Sequence, residues 1–300
     1  MDPSLVTSAP TNPRAFTLLE LLVVIAILGI LAALSVPVLK NFGKSDATLS
    51  ASRQLLDDVG RARQLAISQR TTVCMVFVPP NFWSIAGPFP NSWWTTPAPG
   101  LTLAQRTAAT NLCDKQFTGY NFISLRSVGD QPGNPTMRYL DRWQTLPDGT
   151  FIPTNKFVSS GIRLSWSQVP PGPLLYDYWN QDYRHPDQNE IRSFHTNDVA
   201  FPFPTADSPN KLPLPYIAFN YLGQLATNSP NGVFMSAADE YIPIAKGSVI
   251  YAKDVATRQF QFALPDALET PAGNSTNIAY NIVHIDRLTG RAVLEFHKVK

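Results

Sequence analysis

The pattern of apolar residues changes twice along the chain. Leu21–Leu34 (LLVVIAILGILAAL) carries no polar side chain, and only Ser35 and Pro37 interrupt its continuation to Leu39. A helix over Leu21–Leu39 rises about 28 Å at roughly 1.5 Å per residue, close to the ~30 Å hydrocarbon core of a bilayer. A helix resting on a soluble core is seldom apolar on every side, so this segment is predicted to insert in a membrane. A polar stretch, Lys40–Asp46, follows, and the pattern then becomes amphipathic. Leu55, Val59, Ala62 and Ala66 recur on one face, widened by Ser52, Leu56 and Ile67, with Arg53, Asp57, Arg61 and Gln64 opposite. Arg63 falls inside the stripe and is expected to snorkel or to meet an acid. Beyond residue 71 strand-like runs take over. Thr72–Val78 is rich in valine; Ile217, Phe219 and Tyr221 alternate, as do Ala292, Leu294 and Phe296, with Thr289-Gly290 supplying a turn in which glycine accepts positive φ. Tyr241–Tyr251 reads as a strand pair folded at Lys246-Gly247, and Trp143–Pro153 as strand, Pro-Asp-Gly turn, strand. Helix first and strands afterwards predict an α+β fold: a long N-terminal helix, membrane-spanning and then amphipathic, packed on an antiparallel sheet or sandwich.

The composition, 44% hydrophobic and 15% charged over 300 residues, is that of a folded chain. Its 27 prolines, about 9% against a usual ~5%, gather in Pro79–Pro99 and Pro170–Pro215, which read as long insertions between strands. Trp83, Trp93 and Trp94 in the first insertion either face a ligand such as a sugar or a partner protein, or pin long loops to the sheet. A net charge of +2 provides no bulk field for nucleic acid, an anionic membrane or an acidic substrate. Phosphate-binding loops, dinucleotide fingerprints, Gly-x-Ser-x-Gly and His-Glu-x-x-His are all missing. His185, His195, His284 and His297 lack helical ligand spacing, and Asp182, Arg184, His185, Asp187 and Glu190 read as a hydrated loop. Neither an enzyme nor a cofactor or metal site is therefore expected. Cys74 and Cys113 are too few for a four-cysteine zinc site. They either form one bridge, worth about 4 kcal/mol in the chain-entropy model, or stay as two unpaired thiols.

Glu20 stands at the head of the apolar stretch, where a carboxylate costs roughly 2.5 to 3.5 kcal/mol at mid-membrane and less near the surface. An amine at about 4 Å would offset this by ~4 kcal/mol at an effective dielectric of ~20. No Lys or Arg lies between Phe16 and Leu39. A newly made α-amino group at Phe16 would supply the charge.

Ala15 followed by Phe16-Thr17-Leu18-Leu19-Glu20-Leu21-Leu22 resembles the cleavage and methylation signature of type IV prepilins and type II secretion pseudopilins. The resemblance implies a leader, 1–15, removed by a prepilin peptidase between Ala15 and Phe16, methylation of the Phe16 amine, and an assembly role for Glu20 against a neighbouring subunit's amine. The helix-breaking glycine and proline of the family fall on Gly29 and Pro37. Two features depart from the usual pattern: Ala15 replaces the common glycine before the cut, and Arg14 is the leader's only basic residue. Ala62-Arg63-Gln64-Leu65-Ala66-Ile67 before the valine-rich strand is similar to the H-type minor pseudopilin branch, in which Leu65 is often a glutamate. Tyr216–Gly223 and Ile282–Phe296 fit the same branch.

The implied organisation is a leader over 1–15, a transmembrane and assembly helix over 16–39, its amphipathic continuation over 40–70, and a periplasmic β-rich head over 71–300, with insertions near 79–99 and 170–215. The implied role is that of a non-enzymatic minor subunit in a type II secretion or type IV pilus-like filament. Its partners would be prepilin peptidase, other pilin or pseudopilin subunits, the bacterial inner membrane and exported protein cargo. Two alternatives belong to other classes. One is a DNA-binding minor pilin, hinted at only by the basic end His297-Lys298-Val299-Lys300. The other is an adhesin or enzyme secreted after cleavage behind Ser35.

Overall fold

The computed structural model describes residues 18–84, 101–127, 129–131, 135–157, 176–177, 182–183, 193–196, 199–229, 232–236, 239–275 and 281–296. The chain divides between Ser45 and Asp46 into two units. Helix α1 (Leu18–Gln69) supplies the first unit with its described residues and the second with its packing helix.

In the second unit the amphipathic stripe does what its spacing predicts. Ala51, Leu55, Val59, Ala62 and Ala66 are fully buried, each large side chain contributing about 1.5 to 3 kcal/mol on leaving water. Ser52 is buried among them because its hydroxyl donates to the Thr48 carbonyl at 2.7 Å. Arg53, Asp57, Arg61 and Gln64 face solvent.

Two larger antiparallel sheets are present among the described residues. The first runs β12 (Gly232–Met235), β11 (Leu225–Ser229), β10 (Tyr216–Phe219), β1 (Val73–Phe77), β2 (Gly119–Ser124), β3 (Arg138–Tyr139), with β4 (Gln144–Thr145) also on β2. The second runs β14 (Asp266–Glu269), β13 (Glu240–Ile250), β15 (Asn281–Ile285), β16 (Ala292–Phe296), with β5 (Thr150–Phe151) also on β13. Short hairpins join β6 (Tyr176–Asp177) to β7 (Asp182–Tyr183) and β8 (Phe201–Pro202) to β9 (Lys211–Leu212). One apolar cluster joins the stripe of α1 to both larger sheets, through Met75, Phe122 and Phe219 of the first and Ile242, Ile244 and Val283 of the second.

Strand β1 is buried on both faces, which accounts for its unbroken apolar run. Val73, Met75 and Phe77 face the α1 cluster, whereas Cys74, Val76 and Val78 face a second cluster with Phe82, Leu112, Phe201, Phe203 and Leu214. Helix α2 (Leu103–Thr110) covers that second face, started by a reciprocal cap between Thr102 and Gln105. Chain expected to be a loose insertion thus supplies core: Phe201 to Leu214 is the outer wall of β1. Much of both insertions, including Trp93 and Trp94, lies outside the described residues. Trp83 is partly buried and packs edge-on to Phe82 at 5.1 Å and Phe262 at 5.7 Å, as a ring that pins its segment.

Two turns differ from expectation. Tyr241–Tyr251 does not fold back at Lys246-Gly247; β13 passes straight through. Gly247 is required by close approach instead, since a Cβ there would lie 2.0 Å from the Leu268 carbonyl oxygen of β14. The Pro147-Asp148-Gly149 turn forms, with Gly149 at φ +85, but its flanking strands separate. β4 joins β2 in the first sheet and β5 joins β13 in the second, so the turn is a corner between sheets.

Candidate functional site

The residues singled out for processing and assembly fall at the start of the chain. Ala15 and Phe16 lie outside the described residues. Glu20 and Pro37 lie in helical backbone with side chains outside the description, and Gly29 is helical with open space around it. The described side chains from Leu18 to Ile30 are all exposed. Leu18, Leu19, Leu21, Leu22, Val24 and Ile27 are among them, spread around the whole helix circumference. No helix among the described residues is long and apolar enough to cross a membrane. Leu18–Ile30 rises only about 20 Å, so the span expected over 16–39 is not shown.

Residues 11–36 match the family model of the prokaryotic N-terminal methylation motif. The match supports the type IV prepilin-like family. It implies processing of the precursor by a peptidase, a start in the inner membrane, and assembly with other pilin subunits. Comparison with curated proteins and with solved structures returned no match.

In the second unit, the segments Ala62–Ile67, Tyr216–Gly223 and Ile282–Phe296 meet at one point. Arg63 meets carbonyls, not an acid: its Nε donates to Thr289 O at 2.7 Å and to Gly223 O at 3.2 Å. Gly223 (φ +79) turns β10 into β11, and Gly290 (φ +62) turns β15 into β16. A Cβ on Gly290 would sit 1.9 Å from the Gly223 oxygen, and one on Gly223 would sit 2.7 Å from Ile67 Cδ1. The turns therefore stack on each other and on α1 in a way only glycine permits.

A second set of polar contacts ties α1 to β2. Tyr120 donates its hydroxyl to Asp58 Oδ2 at 2.5 Å, while Gln54 Nε2 donates to the Tyr120 oxygen at 2.8 Å and to Thr145 O at 2.9 Å. Burial is the main reason the Asp58 carboxyl is pushed above its ordinary range, partly countered by the Tyr120 hydrogen bond and Arg61. Burial also pushes the Tyr120 phenol up. Arg61 pairs with Asp141 at 2.5 Å.

Lys156, in a helical turn (Thr154–Phe157) just after β5, is 1% exposed and pairs with Glu240 at the start of β13 in the second sheet. Its Nζ lies 4.4 Å from the centre of the Phe194 ring, and desolvation lowers its pKa. His284 stacks on Tyr241 at 4.4 Å between two carboxylates, with Nδ1 2.6 Å from Glu295 Oε1 and Nε2 3.1 Å from Asp239 Oδ2. The position of Glu295 relative to His284 follows from the hairpin register, which makes them diagonal neighbours on one face. Lys156 lies in a Pro-Thr-Asn-Lys-Phe stretch with no period to mark it as buried.

Cys74 and Cys113 are both buried and free. They share an apolar cluster, but no bridge joins them: Cys113 Sγ turns to the Ala109 carbonyl at 3.7 Å. Burial raises both thiol pKa values, that of Cys113 to about 12. Among the described residues no group of His, Cys, Asp and Glu is arranged to hold a metal ion. The side chains of Asp182, Arg184, His185, Asp187 and Glu190, and the end His297–Lys300, lie outside the described residues.

Proposed function

We propose that the protein is a structural, non-catalytic subunit of a type II secretion or type IV pilus-like filament, of the H-type minor pseudopilin branch. The precursor sits in the inner membrane with its head in the periplasm. Prepilin peptidase trims it before Phe16 and methylates the new amine, and the subunit then joins the filament through its apolar helix. The observation that carries this reading is the methylation motif at 11–36 together with a helix whose described side chains from Leu18 to Ile30 are all exposed. Apolar surface costs about 25 cal/mol per Å² in water, so such a helix requires lipid or neighbouring helices as cover. Glu20 then meets a neighbour's Phe16 amine and sets the register. The branch assignment is supported by the junction of Arg63 with the turns at Gly223 and Gly290, which unites the three segments that resemble it. Cargo or sibling subunits would meet the head.

The test is N-terminal mass spectrometry of the chain expressed with a prepilin peptidase. The expected species begins with N-methyl-Phe16, and a mature start at Val36 overturns the reading in favour of a secreted protein. Glu20→Ala is expected to leave cleavage intact and to abolish entry into the filament.

A further inference from the structure

Six arginines and three exposed apolar side chains share one end of the second unit. The ladder register sets Phe219 of β10, Val73 of β1, Ser124 of β2 and Arg138 of β3 in a row. Just past that row the chain carries Arg70, Arg126 and the β10–β11 turn, against which the β15–β16 turn stacks and brings Arg287 and Arg291. Arg63 reaches both turns from α1. Tyr221 and Leu222 on the first turn are 59% and 58% exposed, and Leu288 on the second is 52% exposed. Turn tips ordinarily carry small polar residues. Both tips are held in place. Asn220 Oδ1 accepts from the amides of Leu222 and Gln224 at 2.9 and 3.0 Å, and Asp286 Oδ1 accepts from the amide and hydroxyl of Thr289 at 2.7 Å each.

The charge of this end is one-sided. Its acids among the described residues are Asp130, Asp239 and Asp286, beside a Glu240 buried in its pair with Lys156. Each aspartate is taken up locally. Asp130 Oδ2 accepts from the amides of Ser127 and Thr136 at 2.7 Å each, Asp239 meets the Arg287 amide and His284, and Asp286 closes its own turn. Arg63 is fastened to carbonyls, which leave its charge uncancelled, and Arg70, Arg126, Arg138 and Arg291 are exposed. Six guanidiniums against three aspartates give a local excess larger than the +2 of the whole chain. No exposed lysine among the described residues shares this end. Arginine around an aromatic and aliphatic centre is the composition of a protein interface, from which lysine is depleted. A phosphate backbone is contacted through charge and hydrogen bonds and has no use for exposed leucines. Like charge on both sides disfavours this end docking on its own copy.

We propose that this end of the second unit is a docking surface for a different protein, one that offers an apolar recess ringed by carboxylates. Tyr221, Leu222 and Leu288 fill the recess, and the surrounding arginines pair with its rim. The proposal rests on the filament reading above and deepens it, by giving a minor subunit the surface with which it meets an unlike neighbour. Because Arg63 and two glycines fix the turns, the tips lose little freedom on docking. The rim arginines steer the approach and make it salt-sensitive, whereas the apolar contact persists when charges are screened.

Binding of the full-length chain, solubilised in detergent micelles, to three polyanions tests the surface: polyglutamate, a glutamate–tyrosine copolymer and double-stranded DNA, at equal total charge. At about 0.15 M salt the copolymer is expected to bind about tenfold more tightly than the other two. Leu222→Ser with Leu288→Ser is expected to bring the copolymer down to the level of polyglutamate. Arg126→Glu with Arg291→Glu is expected to weaken the copolymer about tenfold. Arg53→Glu with Arg258→Glu changes the net charge equally but lies away from this end, and is expected to leave binding unchanged. Equal binding of copolymer and polyglutamate, binding to neither, or equal weakening by the two arginine pairs overturns the proposal. DNA as the tightest ligand, indifferent to the serine pair, overturns it in favour of nucleic acid. Self-association abolished by the Arg126, Arg291 reversal overturns it in favour of a second copy. The chain is unassembled in this measurement, so absence of N-methyl-Phe16, which overturns the filament reading, is a separate result.

Discussion

Arg63 donates to the carbonyl of Thr289 at 2.7 Å across 226 positions of sequence, and with its second bond to Gly223 it fastens two hairpin turns to one helix. Arg63→Ala leaves both carbonyls without their charged donor. The expected loss is about 2 kcal/mol, read as a lower urea midpoint. Arg63→Lys is expected to recover only part of it, because a single ammonium does not reproduce the guanidinium geometry.

Gly290→Ala is expected to cost more, about 3 kcal/mol, from strain at positive φ and collision with the Gly223 oxygen. Thermal unfolding of the pair of variants ranks them. An Ala variant as stable as the parent would show that the turns can separate freely.

Asp58 carries a pH signature of definite sign. Its carboxyl is raised in the folded state, mainly by burial, so the folded protein holds that proton more tightly than the unfolded chain. Stability from this group is greatest below the unfolded value near 3.9 and falls as pH rises through the folded value. Asp58→Asn keeps an acceptor for Tyr120 and is expected to remove that part of the slope. Melting temperatures of both proteins across pH 3 to 7 check it; parallel curves would assign the slope elsewhere.

Lys156 and Glu240 test buried charge. Lys156→Ala strands a carboxylate and is expected to cost about 3 to 5 kcal/mol. The joint replacement Lys156→Met, Glu240→Leu is expected to recover most of that. Chemical denaturation of the single and double variants measures the difference.

Neither thiol should react in the native protein. With Cys113 pushed to about 12 and Cys74 higher still, the thiolate population at pH 8 is negligible. A thiol reagent is expected to count none in buffer and two in denaturant, with no mass change on reduction. One rapidly reacting native thiol would contradict the burial.

The sequence was most legible where one period governed a whole element. The stripe Leu55, Val59, Ala62, Ala66 predicted the face of α1 correctly because a single sheet-covered surface sets it. The turn at Gly290 was legible for a similar reason, since positive φ leaves few residue choices. Gly247 was misread because glycine answers two needs, a turn or a close approach, and only the position of β14 decides between them. Phe201 to Leu214 passed for insertion since its partners, Cys74 and Val76, lie more than a hundred residues away. Lys156 with Glu240 and Tyr120 with Asp58 share that cause: each is a tertiary pair whose members have no local pattern. The methylation motif at 11–36 was legible because it is one contiguous run of sequence and is not assembled from distant parts.

Strand β1 follows α1 after only Arg70, Thr71 and Thr72, and it is laddered on both edges, by β10 on one side and β2 on the other. Strand β1 therefore cannot leave the first sheet without breaking both ladders, whereas a strand at a sheet edge is held by one. The order of elements in this chain sets the strand that directly follows the helix at the interior of that sheet, and not at its rim.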